Sequence, residues 1–355
     1  MWPRRDLIDL LGIEHPILQA PMAGDATPAL AAAVSNAGAL GGLGCSSFTP
    51  EQLRQQAGAI RAATNRPFNL NFFSHAEPKP DAEVDAATAA RLAPFYAERG
   101  LGQPPERATA PLRCFGEEQL AALLELRPAV VSFHFGLPNP DYLEAIRSTG
   151  AAILSTATTV REAVRLAARG VDAVIAQGWE AGGHRGSFAV NAEDVGVGTL
   201  ALVPQVVDAI DRPVIAAGGI ADGRGIAAAF MLGASGVQLG TAFLSCPESG
   251  VSERHRRALA EASDEDTRLS RAFSGRPART LKNRYVEAMA GAGRLPDFPT
   301  MYGYSLPLVE SSEQAGDDDF QFLLYGQAAA LNRALPAAEL VRVLVDEAQA
   351  LLARR

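Results

Sequence analysis

The chain has 355 residues, 48% of them hydrophobic and 20% charged, which excludes wholesale disorder and leaves room for one large or two ordinary domains. The 32 basic and 40 acidic residues leave a net charge of −8, a surface that repels phosphate backbones and argues against a nucleic-acid partner. Lys79 and Lys282 are the only lysines, so lysine chemistry has two candidates at most.

Cys45, Cys114 and Cys246 lie far apart without a CxxC pair, the pattern of a reduced, cytoplasmic protein. At the start, Asp6, Asp9 and Glu14 interrupt what would be the apolar stretch of a signal peptide. No apolar run approaches the roughly 18 residues of a membrane span, so no membrane association is expected. The histidines are dispersed and no metal site is expected.

In chain order, short apolar runs read as strands at Ile17–Ala20, Ala39–Gly42, Phe68–Phe72, Val130–Phe133, Ala152–Thr156, Ala173–Gln177, Val214–Ala217 and Gly236–Leu239. They are continuous rather than alternating, as in parallel strands buried on both faces. Helix starts fall between them: Thr27-Pro28, Thr49-Pro50, Thr159 and Asp222 supply caps, and Gly38, Gly170 and Gly233 supply stops. Eight alternations favour an α/β fold, a (β/α)8 TIM barrel, over an open doubly wound sheet, although periodicity cannot count closure.

Two gaps exceed one βα unit: a Pro-punctuated insertion between Ser74 and Ala129, and a long loop over 178–213. Beyond the eighth strand come a charged helix near Ser252–Ala262, a Gly/Pro-broken stretch Arg294–Pro307, and Asp317–Asp319, read as a solvated loop. The division expected is a barrel over residues 1–245 and a C-terminal helical extension over 246–355 that caps one rim and completes the substrate side.

The site of such a barrel lies at the C-terminal ends of its strands. Gly218-Gly219 after the seventh strand and Gly240-Thr241 after the eighth let backbone N–H groups approach an anion, where barrels commonly bind phosphate; the alternative is that they only make tight turns. Asn71 and Gln177 end apolar strands with amides that need partners, which a heteroaromatic cofactor could supply. His184 lies among glycines in what reads as an exposed loop with no apolar face to pack on, which favours a functional role. Arg185 beside it either holds an anion or solvates the loop, and His134 either lines the pocket or closes a strand. Cys45 reads as a small packed residue rather than a nucleophile.

The segments Gln19–Gly24 (QAPMAG), Ser132–Pro138 (SFHFGLP), Gly182–Gly186 (GGHRG), Ala216–Gly225 (AAGGIADGRG) and Gln238–Thr241 (QLGT) stand in order at suitable spacing. Together they resemble the nitronate monooxygenase family over roughly residues 10 to 245. The resemblance implies non-covalent FMN. Gly182, Gly218, Gly219, Gln238, Leu239, Gly240 and Thr241 would lie along its phosphate and ribityl region, Asn71 and Gln177 at its polar edges, and Pro21 and Met22 near its ring. His184 would be the catalytic histidine, with His134 on the substrate side, and the cap between Asp297 and Leu308, with Tyr302 and Tyr304, is expected to shape that side as well. The implied reaction is oxidation of an alkyl nitronate, such as propionate 3-nitronate, by O2 to nitrite and a carbonyl compound. A histidine able to carry positive charge would suit an anionic substrate, and with a neutral nitroalkane the same ring could act as base.

Asp25 departs from the family's small residue after PMAG, either a carboxylate near the substrate or a helix cap. The main rival is an FMN-dependent NAD(P)H oxidoreductase, reducing a quinone or an enoyl thioester on the same barrel. An IMP dehydrogenase-like role lacks a cysteine within residues 178–199, and a 2-hydroxy acid oxidase lacks a suitable lysine and its His-Gly arrangement.

Overall fold

A computed structural model describes residues 1–109, 112–189 and 195–353; parts of the 74–129 and 178–213 gaps therefore lie outside the described residues. The barrel strands are β1 (Ile17–Gln19), β2 (Gly41–Gly44), β3 (Phe68–Phe73), β4 (Val130–His134), β5 (Ala152–Ala157), β6 (Ala173–Gln177), β7 (Val214–Ala217) and β8 (Gly236–Leu239). All pair in parallel, each with its sequence neighbour from β2 to β8, and β8 returns to β1. A parallel bridge between Leu18 and Leu40 joins β1 to β2 and closes the ring. The fold is a (β/α)8 barrel.

Seven of the eight strands begin where the apolar runs begin and end within one residue of them. Only β2 is displaced, to the glycine-rich Gly41–Gly44, with Ala39 and Leu40 serving as its lead-in. Glycine has little strand propensity, so tertiary closeness decides: a Cβ on Gly41 would stand 2.0 Å from the Ala31 carbonyl oxygen.

Side chains alternate along each strand, one set to the helices and one into the barrel. The inward set changes character from bottom to top. At the bottom, Leu18, Val130, Leu154, Ile175 and Ile215 pack with Leu7, Leu11 and Ile13 of the N-terminal segment, which plugs the barrel. At the top the same faces carry Asn71, Ser132, His134, Thr156, Gln177 and Gln238, and these line a cavity.

The rest of the chain makes a lid and a closing helix. Helix Ala82–Glu98, from the insertion after β3, packs with helix Thr300–Ala315 through a second core that includes Leu92, Tyr96, Tyr304 and Leu308. Strands β9 (Thr267–Ser270) and β10 (Ala278–Leu281) pair antiparallel, and β10 adds the two-residue strand Gly183–His184. Asp317 and Asp319 are not simply solvated: Arg99 donates to both and Arg284 donates to Asp319, joining the two pieces of the lid. The final helix, Ala337–Leu352, returns to the barrel wall and buries Leu340, Val341, Leu344 and Val345 with Leu30, Ile226 and Phe230. The chain's end thus returns to the barrel wall, and the lid is drawn from helix Ala82–Glu98 together with the segment that precedes this final helix.

Among the described residues no helix is long and apolar enough to cross a membrane, and no group of His, Cys, Asp or Glu is arranged to hold a metal ion.

Candidate active site

The cavity at the top of the barrel has a volume of about 210 Å³. It gathers Pro21, Met22, Asn71, His134, Gln177, Gly182, His184, Gly218, Gly219, Gln238, Gly240, Thr241 and Tyr302 from widely separated parts of the sequence. Leu239 does not line it; its side chain is buried in the hydrophobic core, and its carbonyl accepts the Ala20 N–H at 2.8 Å.

The two glycine loops differ in backbone. Gly218 and Gly219 both have positive φ, 102° and 71°, the left-handed region that residues with a Cβ avoid. Gly240 has ordinary φ, and a Cβ there would meet only Ala20 Cβ at 3.5 Å and Met22 Sδ at 3.7 Å. Gly182 is required for a different reason: a Cβ would stand 2.6 Å from the Gly326 nitrogen, so the barrel loop and the lid touch backbone to backbone here. Gly326 N–H also donates to Thr241 Oγ1 at 2.9 Å.

The amides divide their work. Asn71 Nδ2 donates to Ser132 Oγ at 2.9 Å, which leaves its Oδ1 for the cavity. Gln177 clamps the histidine loop, donating to the His184 carbonyl at 3.0 Å and accepting from Gly186 N–H at 2.8 Å. Gln238 Oε1 is buried with no hydrogen-bond partner, although it belongs to a cavity-lining residue. Such an acceptor costs free energy unless a ligand supplies a donor.

His184 is not in an exposed loop. Its backbone pairs with Ala278, and its ring lies within 6.3 Å of the rings of Phe73, Phe135, Phe298, Tyr302 and Phe322. Most of these residues stand far away in sequence, so the local glycines could not reveal this packing. Burial, reinforced by the Arg276 guanidinium and by the unfavourable cost of a second charge beside His134, pushes the His184 pKa down to about 3, so the resting ring is neutral rather than cationic. Its Nε2 is 2.9 Å from Ser274 Oγ.

His134 lines the cavity with both ring nitrogens already engaged. Nε2 lies 3.1 Å from the His184 carbonyl, which can only accept, so this nitrogen carries the proton. Nδ1, 3.1 Å from Thr156 Oγ1, then accepts from the hydroxyl. Arg185 does not solvate the loop. It is 1% exposed, donates to the Gln177 and Gly178 carbonyls and lies over the Trp179 ring. Cys45 is buried and packed. Asp25 lines the cavity, where burial raises its carboxyl to about 6. Ser132, Thr156, Glu180, Leu324 and Gly326 also line the cavity without having been singled out from the sequence. Ser132 and Thr156 share the inward, every-second-residue phase of Asn71 and Gln177, a signal that was available.

The model of the family described as nitronate monooxygenase matches residues 4–347. The chain belongs to the nitronate monooxygenase family. A nitronate monooxygenase of Pseudomonas aeruginosa is 47% identical over 342 residues, covering 95% of this chain and 97% of that protein. One from Paraburkholderia phytofirmans is 44% identical over 349 residues, covering 97% and 95%. Among solved structures, a nitroalkane oxidase from Streptomyces ansochromogenes superposes with a TM-score of 0.90 at 41% identity, covering 99% of this chain and 100% of that one. FabK from Thermotoga maritima superposes with a TM-score of 0.76 at 31% identity, covering 100% and 98%. As a member of the nitronate monooxygenase family, the chain is an oxidoreductase.

Proposed function

We propose that this chain is an FMN-dependent enzyme that oxidises alkyl nitronates, such as propionate 3-nitronate, with O2 to nitrite and a carbonyl compound. The observation that carries the reading is the meeting, in one cavity, of His184 with the glycine loops after β7 and β8.

The lining suits a flavin. Gln238 Oε1 lacks the donor that a ring N–H or a ribityl hydroxyl would supply. The N–H groups around Gly219, Gly240 and Thr241 offer donors to a phosphate without side chains in the way. Asn71 and the second amide proton of Gln177 would meet polar atoms of the ring system, and Pro21 and Met22 its apolar surface. Bound FMN would supply the redox chemistry, taking electrons from the nitronate and returning them to O2.

The protein's own part follows from His184. Its ring is neutral at rest and able to accept a proton from the α-carbon of a neutral nitroalkane. The imidazolium so formed stands beside the nitronate anion in a site walled by aromatic rings, where an opposite charge stabilises it more than in water. With a nitronate supplied directly no proton need move, and the histidine is not called on as a base.

The heat-released chromophore should be FMN, and nitrite should appear when propionate 3-nitronate is added in air. Gly240→Ala should fold normally, since the added methyl has room in the protein, yet retain FMN less well because it enters the cofactor's space. Colourless protein that cannot be reconstituted with FMN, or FMN affinity unchanged in Gly240→Ala, would count against the assignment.

A second reading, an NAD(P)H-dependent flavin oxidoreductase on the same barrel, draws support from a groove of about 780 Å³ on the far side of Phe135 and Phe298. Arg165, Arg169, Arg271 and Arg276 line it, a setting that suits a phosphate-bearing dinucleotide. The two readings differ in which donor reduces the flavin.

A further inference from the structure

We propose that Ser274 is a positioning residue that keeps the His184 proton on Nε2, leaving Nδ1 as the nitrogen that takes the substrate's proton. This rests on the proposed role of His184, but the tautomer itself is a property of the resting protein.

Ser274 is buried in the turn between β9 and β10, and its Oγ has one proton to give and two lone pairs to receive. Three groups surround it. The Arg276 carbonyl, at 3.1 Å, can only accept; the Arg276 N–H, at 3.3 Å, can only donate; His184 Nε2 lies at 2.9 Å. All three are satisfied at once only if Ser274 gives its proton to the carbonyl and receives from both nitrogens. The reverse arrangement, with the hydroxyl donating to the ring, takes that proton away from the Arg276 carbonyl.

The imidazole is neutral at rest, so a proton on Nε2 means a bare lone pair on Nδ1. Among the described residues nothing hydrogen-bonds to Nδ1, and His184 lines the cavity. The charged or titratable groups facing the ring are His134, Arg276 and Tyr302; the other neighbouring rings are phenylalanines. His134 is committed to the His184 carbonyl and the Thr156 hydroxyl, so it does not compete for the substrate's proton. In the step itself, the α-carbon C–H bond of a neutral nitroalkane breaks. Its electron pair stays with the substrate as nitronate, and the proton forms an N–H bond at Nδ1.

The test is NMR of the protein labelled with 15N-histidine, without substrate, assigning His184 as the signal lost in His184→Asn. Protonated Nε2 and bare Nδ1 are expected in the unaltered protein, both tautomers in Ser274→Ala, and the original pattern in Ser274→Thr. In parallel, kcat/KM for a neutral nitroalkane should fall about tenfold in Ser274→Ala, the scale of one net hydrogen bond, and return in Ser274→Thr. The value for a nitronate should change much less. A proton found on Nδ1 in the unaltered protein overturns the proposal, and that measurement needs no variant to fold. An unchanged tautomer in Ser274→Ala, or equal losses on both substrates, also overturns it. Absence of nitronate oxidation altogether would sink the proposed function while leaving the NMR result to stand or fall alone.

Discussion

At His184, burial decides the protonation state. With its pKa near 3, the ring stays neutral across the ordinary working range, since a lowered pKa means that protons bind only at lower pH. Replacing it with Asn preserves hydrogen bonding but removes the basic nitrogen. His184→Asn should therefore retain FMN and lose turnover of a neutral nitroalkane by about a hundredfold or more, the scale of one acid–base group; full activity would remove His184 from the mechanism. The pH profile follows from the same values. In kcat/KM no acid limb from His184 is expected between pH 5 and 8, whereas Asp25, raised to about 6, ionises inside that window. A limb near pH 6 should vanish in Asp25→Asn, and one that survives there would restore the histidine's ordinary value. The GGHRG segment was legible as a site because glycines around a lone histidine bring backbone close to a ligand. The aromatic cage was not legible, because Phe298, Tyr302 and Phe322 lie more than a hundred residues away. The burial of Arg185 was hidden for a related reason: no local pattern shows that its guanidinium serves two carbonyls and an indole.

The elements that hold the histidine do so mainly through backbone groups. Gln177 at the end of β6 ties down the His184 carbonyl and the Gly186 N–H, and Glu162 holds the next residues of the same loop. Glu162 lies in the first turn of helix Val160–Ala168, is fully buried, and accepts from Thr158 N–H and Oγ1 and from the N–H groups of Phe188 and Ala189, all at 2.7–2.9 Å. Truncation strands several buried donors, each costing about 1–3 kcal/mol. Glu162→Ala should thus lower the unfolding free energy by at least about 2 kcal/mol in urea titration, and a loss below about 0.5 kcal/mol, the range of ordinary surface substitutions, would contradict the latch. Strands β6, β7 and β8 were legible residue for residue, because fully buried parallel strands are short apolar runs bounded by polar or glycine residues. The same reading by continuous apolarity hid the finer period of two, and with it Ser132 and Thr156.

The whole molecule is a barrel whose last wall helix comes from beyond β8 and whose lid joins helix Ala82–Glu98 to the segment after β8. The lid reaches the site by three routes: Ser274 on His184, Gly326 against Gly182 and Thr241, and Tyr302 in the cavity lining. The eight βα units were legible from their count, but closure was not, because it rests on β8 pairing with β1 and on the Leu18–Leu40 bridge. The return of Ala337–Leu352 to the wall was not, because an amphipathic helix does not announce which surface it covers. Its close seat is visible only in three dimensions, where a Cβ on Gly223 would stand 2.3 Å from Glu347 Cβ. What the assembled site does is decided by the donor that reduces its flavin. The direct measurement is anaerobic absorbance spectroscopy of the FMN-loaded protein, with propionate 3-nitronate, NADH and NADPH added in separate cuvettes. Rapid loss of the oxidised flavin band with the nitronate, and none with either nicotinamide, is the predicted result; bleaching by NADH or NADPH with no response to the nitronate would contradict it.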